Sequence, residues 1–379
     1  MKRTNLPKPS DCIAYWFPTP VGPDTEREPP HSRQWYLMEA LSKDVPVAII
    51  TRPRSAGRLG RFRLRTERIN KNLIVVYGGY SLTDAPKLRS LRPFLVRLDV
   101  WRLRRCLRSK GYRRPIYWLG VNNSTYAQRH MGPWMVYDCI DPCFRLDIAS
   151  RHDAEETAIL RIADLVFATA LTLEERMRLR HNCVYLLPNA YAPSAGPAPA
   201  RPVERGPIGF MGVIDERLDW GFLGRCAIAC PNVEILLVGR INPSQKNMAR
   251  NLQKMYPNVR FTGEVDLNEG VRLSAAFAVG LIPFQAGGHG DSINPVKLYM
   301  YLGAGTPVVG TPTRELTQVG APLVYVCQAG TEQTCLEAAL DEGPNDLNRH
   351  ARRVFALQNS WSHRAETAVG ALRREGLLR

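Results

Sequence analysis

Lys297 stands near the start of the stretch Asn294-Pro295-Val296-Lys297-Leu298-Tyr299-Met300-Tyr301-Leu302-Gly303-Ala304-Gly305-Thr306-Pro307-Val308-Val309, which reads as a loop, a short helix, a glycine turn and a buried strand. Proline is tolerated in the first turn of a helix, and Gly303 and Gly305 offer the positive φ of a C-cap. Unpaired N–H groups, the helix dipole and an ammonium would converge at this helix start, a combination that binds anions. A cation alone is disfavoured there, so Lys297 calls for an anionic partner; the alternative is a solvated lysine on an ordinary αβ unit. Just upstream, Gln285-Ala286-Gly287-Gly288-His289-Gly290-Asp291-Ser292-Ile293 is dense in glycine, which lets backbone approach a ligand closely. His289 in that loop is within reach of a sugar or phosphate, or is simply exposed. Arg240 follows a strand end and reaches either a phosphate or the rim. Asp138 and Asp141 leave a strand as Tyr137-Asp138-Cys139-Ile140-Asp141. Carboxylates at strand ends of an open α/β sheet are placed for general-base chemistry; capping the next helix is the competing use. His31, in Pro29-Pro30-His31-Ser32-Arg33, opens a predicted helix and is a candidate on the acceptor side. No G-x-S-x-G turn is present to support a serine hydrolase.

The elements that would position these residues are short, β-branched apolar runs separated by helix-length segments. Predicted strands are Asp11–Phe17, Val47–Thr51, Leu73–Gly78, Pro115–Gly120, Trp134–Asp138, Leu165–Thr169 and Val184–Leu187, then Ile208–Met211, Val233–Gly239, Val259–Thr262, Val279–Pro283, Pro307–Gly310 and Leu323–Cys327. This alternation predicts two parallel sheets covered by helices. Between the two sets, residues 193–207 hold five prolines in fifteen positions, the composition of a semi-rigid linker. The predicted organisation is a basic first domain over 1–192, a linker over 193–207, a second domain over 208–346 and a helical segment over 347–379. Two doubly wound domains of this kind bind ligands at the carboxyl ends of their strands, and so would face a cleft.

Charge is distributed unevenly. Residues 1–120 carry 25 Lys and Arg against 9 Asp and Glu, whereas the rest of the 379-residue chain carries 26 of each. Two runs, Arg52 to Arg68 and Lys87 to Arg114, hold most of the excess, and arginine dominates them. The second mixes Arg with Phe94, Leu95, Val96, Trp101 and Leu103 in a helical pattern, which suits a helix resting on an anionic membrane surface. A core-packed helix with a solvated arginine face is the alternative. No helix-turn-helix, zinc-finger or RNP-like pattern supports nucleic-acid binding. No apolar run reaches the ~18 residues that span a bilayer, and no apolar h-region follows the charged N-terminus. The nine cysteines lack CxxC pairs, which fits free thiols in a reducing cytoplasm better than a zinc site.

The segment 294–309 resembles the nucleotide-binding segment of GT-B glycosyltransferases. Other stretches resemble the same superfamily in the same order: Gly209-Phe210-Met211-Gly212-Val213-Ile214-Asp215-Glu216-Arg217-Leu218-Asp219, Val238-Gly239-Arg240, Asn258-Val259-Arg260-Phe261-Thr262-Gly263-Glu264-Val265 and Ala278-Val279-Gly280-Leu281-Ile282-Pro283-Phe284. Upstream, residues 135–141, 163–169 and 187–190 look like acceptor-domain landmarks. Within that superfamily the chain resembles bacterial exopolysaccharide and teichuronic-acid-type transferases and the xanthan glucuronosyltransferase.

The resemblance implies an α/β GT-B fold of two Rossmann-like domains, with 347–379 crossing back onto the first. It implies a metal-independent transferase without a cofactor beyond its nucleotide-sugar donor, with a lipid-linked or polysaccharide acceptor in bacterial cell-surface polysaccharide synthesis. Such a protein would be cytoplasmic and peripheral at the inner membrane face. Gly212, Arg217, Arg240, His289, Ser292, Asn294 and Lys297 would serve the donor diphosphate and sugar, and Glu264 and Val265 would hold the base mainly through backbone atoms. Retaining members usually carry two glutamates eight residues apart; here those positions are Ser292 and Met300. That departure favours an inverting reaction with Asp141, or Asp138, as base. Two other readings remain: a GT-B nucleotide-sugar epimerase, and a GT-B-like scaffold that has lost catalysis.

Overall fold

The computed structural model describes residues 8–16, 32–51, 64–78, 92–120, 132–140, 149–192, 206–287, 289–342 and 346–379. The chain divides into two compact units, one of Met1–Thr169, Leu173–Pro188 and Trp361–Arg379, the other of Ala170–Thr172 and Asn189–Ser360.

In the first unit the elements are β1 (Ile13–Trp16), α1 (Arg33–Leu41), β2 (Val47–Thr51), β3 (Arg65–Arg68), β4 (Leu73–Tyr77), α2 (Arg92–Ser109), β5 (Ile116–Leu119), β6 (Trp134–Cys139), α3 (Ala149–Leu160), β7 (Leu165–Ala168), α4 (Leu171–Arg178) and β8 (Val184–Leu186). The strands lie in the order β3-β4-β2-β1-β5-β6-β7-β8. All neighbours are parallel except β3, which runs antiparallel to β4 along the edge. Strands β1, β2, β4, β5, β6 and β7 are buried along their whole length. Burial on both faces explains their near-continuous apolar sequences. β3 escapes that pattern. Its sequence Arg-Thr-Glu-Arg is half-exposed, held by the Arg65 guanidinium 5.7 Å from the Tyr77 ring centre and by a 3.2 Å hydrogen bond from the Tyr77 hydroxyl to Glu67. A charged edge strand also discourages pairing with other chains.

The second unit follows with β9 (Ile208–Met211), α5 (Trp220–Ala229), β10 (Ile235–Val238), α6 (Lys246–Met255), β11 (Val259–Gly263), α7 (Leu267–Ala275), β12 (Val279–Ile282), α8 (Val296–Ala304), β13 (Val308–Gly310), α9 (Arg314–Val319), β14 (Val324–Val326), α10 (Glu332–Leu340) and α11 (Asp346–Gln358). Its parallel sheet has the order β11-β10-β9-β12-β13-β14, so the winding reverses between β9 and β12, where doubly wound sheets bind ligands. Helix starts are fixed by side chains: Asp219 accepts from the Phe222 N–H at 2.8 Å ahead of α5, and Asp266 accepts from the Glu269 N–H at 2.9 Å ahead of α7. α8 ends on Gly305 in the left-handed region (φ +83°), as a C-cap glycine should. Gly303 lies inside the helix instead of capping it, and a Cβ there would fall 2.2 Å from the Tyr191 ring. Pro295 is the N-cap residue, one position before the first helical turn.

The helical segment expected over 347–379 is two helices, α11 and α12 (Trp361–Arg374). α11 packs along α8 and stays with the second unit, while α12 packs on α1 in the first. The return to the first unit therefore begins at Trp361, later than 347. Residues 193–205 of the proline-rich segment lie outside the described residues, as do parts of both arginine runs.

Within the second unit, Tyr301 of α8 is fully buried, and its hydroxyl accepts a 2.9 Å hydrogen bond from the Met211 N–H at the end of β9. Tyr301→Phe leaves that amide without its partner. The variant should lose about 1–3 kcal/mol in urea unfolding, the cost of an unsatisfied buried donor; an unchanged midpoint would show that Tyr301 does not anchor α8 to β9.

Candidate functional site

β9 ends at Met211 and turns through Gly212, whose N–H donates to the Val238 carbonyl at 2.9 Å. The neighbouring β10 ends in Gly239 (φ +136°), where a Cβ would lie 2.1 Å from the Gly212 carbonyl oxygen. Only glycine at position 239 lets the two strand-end turns touch. The turn after β9 then carries Asp215 and Arg217 as a pair. Arg217 Nε donates to Asp215 Oδ1 at 2.8 Å and Oδ2 at 3.0 Å, and its terminal nitrogen donates to Oδ2 at 2.6 Å. Burial alone would raise the Asp215 carboxyl, but the hydrogen bonds and charge of Arg217 outweigh it and hold the group below the usual carboxylate range.

Lys297, in the first turn of α8, brings its ammonium to the same place. The Nζ atom lies 4.5 Å from the ring centre of Phe210 on β9 and 4.6 Å from that of Phe284 just after β12. A Cβ on Gly212 would stand 3.0 Å from it. Among the described residues the ammonium has neither a hydrogen-bond acceptor nor an ion-pair partner, since both oxygens of Asp215 face Arg217. Burial pushes the amine down to about 7, the adjacent Arg217 guanidinium adds to that shift, and Asp215 opposes it. The helix start itself has no side-chain cap. The N–H groups of Val296 and Lys297 have no acceptor among the described residues, while that of Leu298 turns back to the Pro295 carbonyl at 3.1 Å. Two cations, uncapped amides and a positive dipole end thus meet at the point where the strand order reverses. That arrangement can hold a diphosphate and stabilise negative charge growing on it.

The structure groups Gly212, Arg217 and Lys297 from the sequence candidates and places the others around them within the second unit. Arg240 is exposed, and its carbonyl accepts from the Ile214 N–H at 2.9 Å. Glu264 is exposed and Val265 half-buried, directly after β11. His289 is exposed ahead of the 3-10 turn Gly290–Ser292, and Ser292 is buried with its N–H on the His289 carbonyl at 3.1 Å. The Asn294 side chain faces inward. Its Oδ1 accepts from the Asn189 N–H at 2.9 Å and its Nδ2 donates to Glu315 at 2.5 Å, and its backbone carbonyl accepts from Asn189 Nδ2 at 2.5 Å, so the residue ties the loop to its neighbours. Phe210, Phe284 and Asp215 complete the cradle. Phe210 falls in a predicted strand, Phe284 follows one, and Asp215 stands in the loop after β9; nothing local signals that all three meet Lys297.

In the first unit Asp138 is fully buried, its Oδ1 3.4 Å from an Arg33 terminal nitrogen. Arg33 also donates to the carbonyls of Pro188 at 3.0 Å and Leu187 at 2.8 Å, and lies 5.8 Å from the Trp361 ring centre. Asp138, read from sequence as a strand-end base, thus lies in the interior, with its carboxylate facing the Arg33 guanidinium from the first turn of α1. Burial raises the Asp138 carboxyl against the opposing charge of Arg33. Asp141 and His31 lie outside the described residues. The eight described cysteines are all free. Among the described residues no helix is long and apolar enough to cross a membrane.

Comparison with solved structures recovers this architecture over nearly the whole chain. A sucrose-phosphate synthase from Thermosynechococcus elongatus aligns with a TM-score of 0.63 and 16% identity, covering 96% of this chain and 98% of the other. A UDP-forming α,α-trehalose-phosphate synthase from Burkholderia xenovorans, solved with glucose-6-phosphate, aligns with a TM-score of 0.64 and 12% identity over 95% of this chain and 100% of the other. The fold is GT-B. The GT-B resemblance read from the sequence motifs holds at the level of fold. In sequence, a Bacillus subtilis (strain 168) protein carrying the name teichuronic acid biosynthesis glycosyltransferase TuaH is 27% identical over 161 residues. The match spans 41% of this chain and 40% of that relative. No protein-family model matches the GT-B chain.

The buried pair in the first unit gives a testable outcome. Arg33→Ala removes the cation that faces the buried Asp138 carboxylate, and breaking such a pair should cost about 3–5 kcal/mol in denaturant unfolding. Burial raises the Asp138 carboxyl, and a carboxyl whose folded pKa is raised favours the fold when protonated, so the loss should shrink as pH is lowered and Asp138 takes up a proton. A loss independent of pH, or not relieved by adding Asp138→Asn, would show that packing of Arg33 matters and its charge does not.

Proposed function

We propose that this protein is a glycosyltransferase that moves a sugar from a nucleotide-sugar donor to a lipid-linked or polysaccharide acceptor in cell-surface polysaccharide synthesis, working against an anionic membrane surface. The observation that carries the donor half is the Lys297 ammonium, without a hydrogen-bond acceptor or ion-pair partner among the described residues and set with Arg217 at the reversal point of the second sheet. Glycosyl transfer releases a nucleoside diphosphate, and the enzyme must favour the charge that gathers on that leaving group. Lys297, Arg217 and the amides at Gly212 and the start of α8 meet that requirement with protein groups alone, so the proposed reaction needs neither a metal nor a cofactor besides the donor. The UDP-forming activity in the name of the trehalose-phosphate synthase supports a nucleotide-sugar donor. The name of the Bacillus relative supports a polysaccharide role.

The membrane half rests on α2. Val96, Val100, Leu103 and Leu107 are buried, while Phe94 and Trp101 are 64% and 58% exposed. Arg97, Arg104, Arg105 and Arg108 line an open groove of about 450 Å³ with Trp101 and Val100. Arginines beside exposed aromatic rings suit a surface of anionic headgroups over acyl chains, each basic residue adding about 1 kcal/mol near such lipid.

Nucleoside diphosphates and nucleotide-sugars screened by thermal shift should include one that stabilises the wild type, by about 2.7 kcal/mol at a hundred times its dissociation constant, and fails to stabilise Lys297→Ala. A panel without a shift, or a shift kept in the variant, would remove the donor assignment. Co-sedimentation should separate anionic from neutral phosphatidylcholine vesicles, weaken at high salt and drop in Arg105→Glu/Arg108→Glu. Equal binding to both vesicle types would contradict a charge-driven contact at α2.

A further inference from the structure

We propose that nucleotide-sugar binding in the second unit takes up a proton at Lys297: the amine is neutral in the unliganded protein at mildly alkaline pH and becomes an ammonium when the donor diphosphate arrives. The inference rests on the donor assignment above and goes beyond it to the protonation state of the site.

The geometry gives the unliganded ammonium ring contacts but no hydrogen-bond acceptor among the described residues. From β9 and from the end of β12 it meets the rings of Phe210 and Phe284, at 4.5 and 4.6 Å, whose modest attraction for a cation does not replace lost hydration. From the turn after β9 it meets Gly212, the like-charged Arg217 and Asp215. Among the described residues Asp215 is the carboxylate acting on it, and Arg217 grips that carboxylate through three hydrogen bonds of 2.6–3.0 Å. On α8 itself, the nearby Tyr301 hydroxyl is committed to the Met211 N–H. A proton placed on Nζ therefore adds net positive charge to an apolar box already holding a matched Arg–Asp pair, and desolvation drives it off. The same causes move the amine to about 7 in the unliganded protein.

A bound diphosphate inverts the balance by placing two negative charges beside the amine. The proton comes from solution, and the complex contains the ammonium form. Above neutral pH, affinity should then fall about tenfold for each unit of pH until the complex itself loses the proton. The linked effect on stability has the opposite sense. A lysine with a lowered folded pKa destabilises the fold when charged, so the unliganded protein should gain stability as pH rises through neutrality.

Two measurements on the full chain test this. Competitive acetylation of unliganded protein with acetic anhydride, read by mass spectrometry, should give Lys297 a half-reactive pH near neutrality, well below the ordinary lysine range. Lys297 titrating in the ordinary lysine range would overturn the proposal. Calorimetric titration with UDP-glucose, whose diphosphate does not titrate at pH 8, should give heats at pH 8 that differ between Tris and phosphate buffers by an uptake approaching one proton. The difference should vanish in Lys297→Arg. Binding with equal heats in both buffers would also overturn the proposal while leaving the donor assignment intact. Lack of binding by every nucleotide-sugar in the panel would overturn the donor assignment and the proton uptake with it.

Discussion

Lys297 carries its amine to the ends of two parallel strands and, among the described residues, meets no free carboxylate there. Much of the second unit serves that placement. α8 is held by the Tyr301 hydroxyl on the Met211 amide and by α11 along its flank. The rings that enclose the amine come from β9 and the end of β12, which are adjacent only because the sheet winds outward in both directions from them. Gly239 admits the Gly212 turn, and the Asp215–Arg217 pair keeps the nearby carboxylate occupied. A buried cation is costly without a counter-charge. The cradle is thus stable enough to fold and poised to gain from an arriving anion.

The first unit resolves the same problem differently. Its buried charges are matched internally. Asp138 faces Arg33, and Glu156 accepts from Arg176, Arg180 and, at 2.9 Å, the Tyr137 hydroxyl. Its surplus of positive charge is left to the surface, where α2 shows arginines and two aromatic rings to solvent. One unit therefore concentrates an unmet charge at a point, and the other spreads it over a face. A diphosphate suits the first arrangement and a charged interface the second.

The parallel strands were legible because burial on both faces writes itself as unbroken apolar runs, and the reversal of order followed from alternating strands and helices. β3 was not legible, since four half-exposed residues with three charges carry no apolar signal. Lys297 stood out because a cation at a helix start needs a reason. Its neighbours did not, because Phe210, Asp215 and Phe284 lie 87, 82 and 13 positions away and meet it only through the sheet. Asp138 shows the converse limit. Its strand-end position suggested exposure, and only the packing of α1 shows it to be interior. The break between α11 and α12 is likewise tertiary, with one helix gathered to α8 and the next to α1.

The central claim is that the start of α8 holds a diphosphate. A crystal structure of the protein soaked with UDP tests it most directly. Diphosphate oxygens should lie within about 3 Å of the Lys297 ammonium, the ordinary distance for such a contact, with the Gly212 turn alongside. A diphosphate bound at the arginine groove of α2, with nothing beside Lys297, would contradict it.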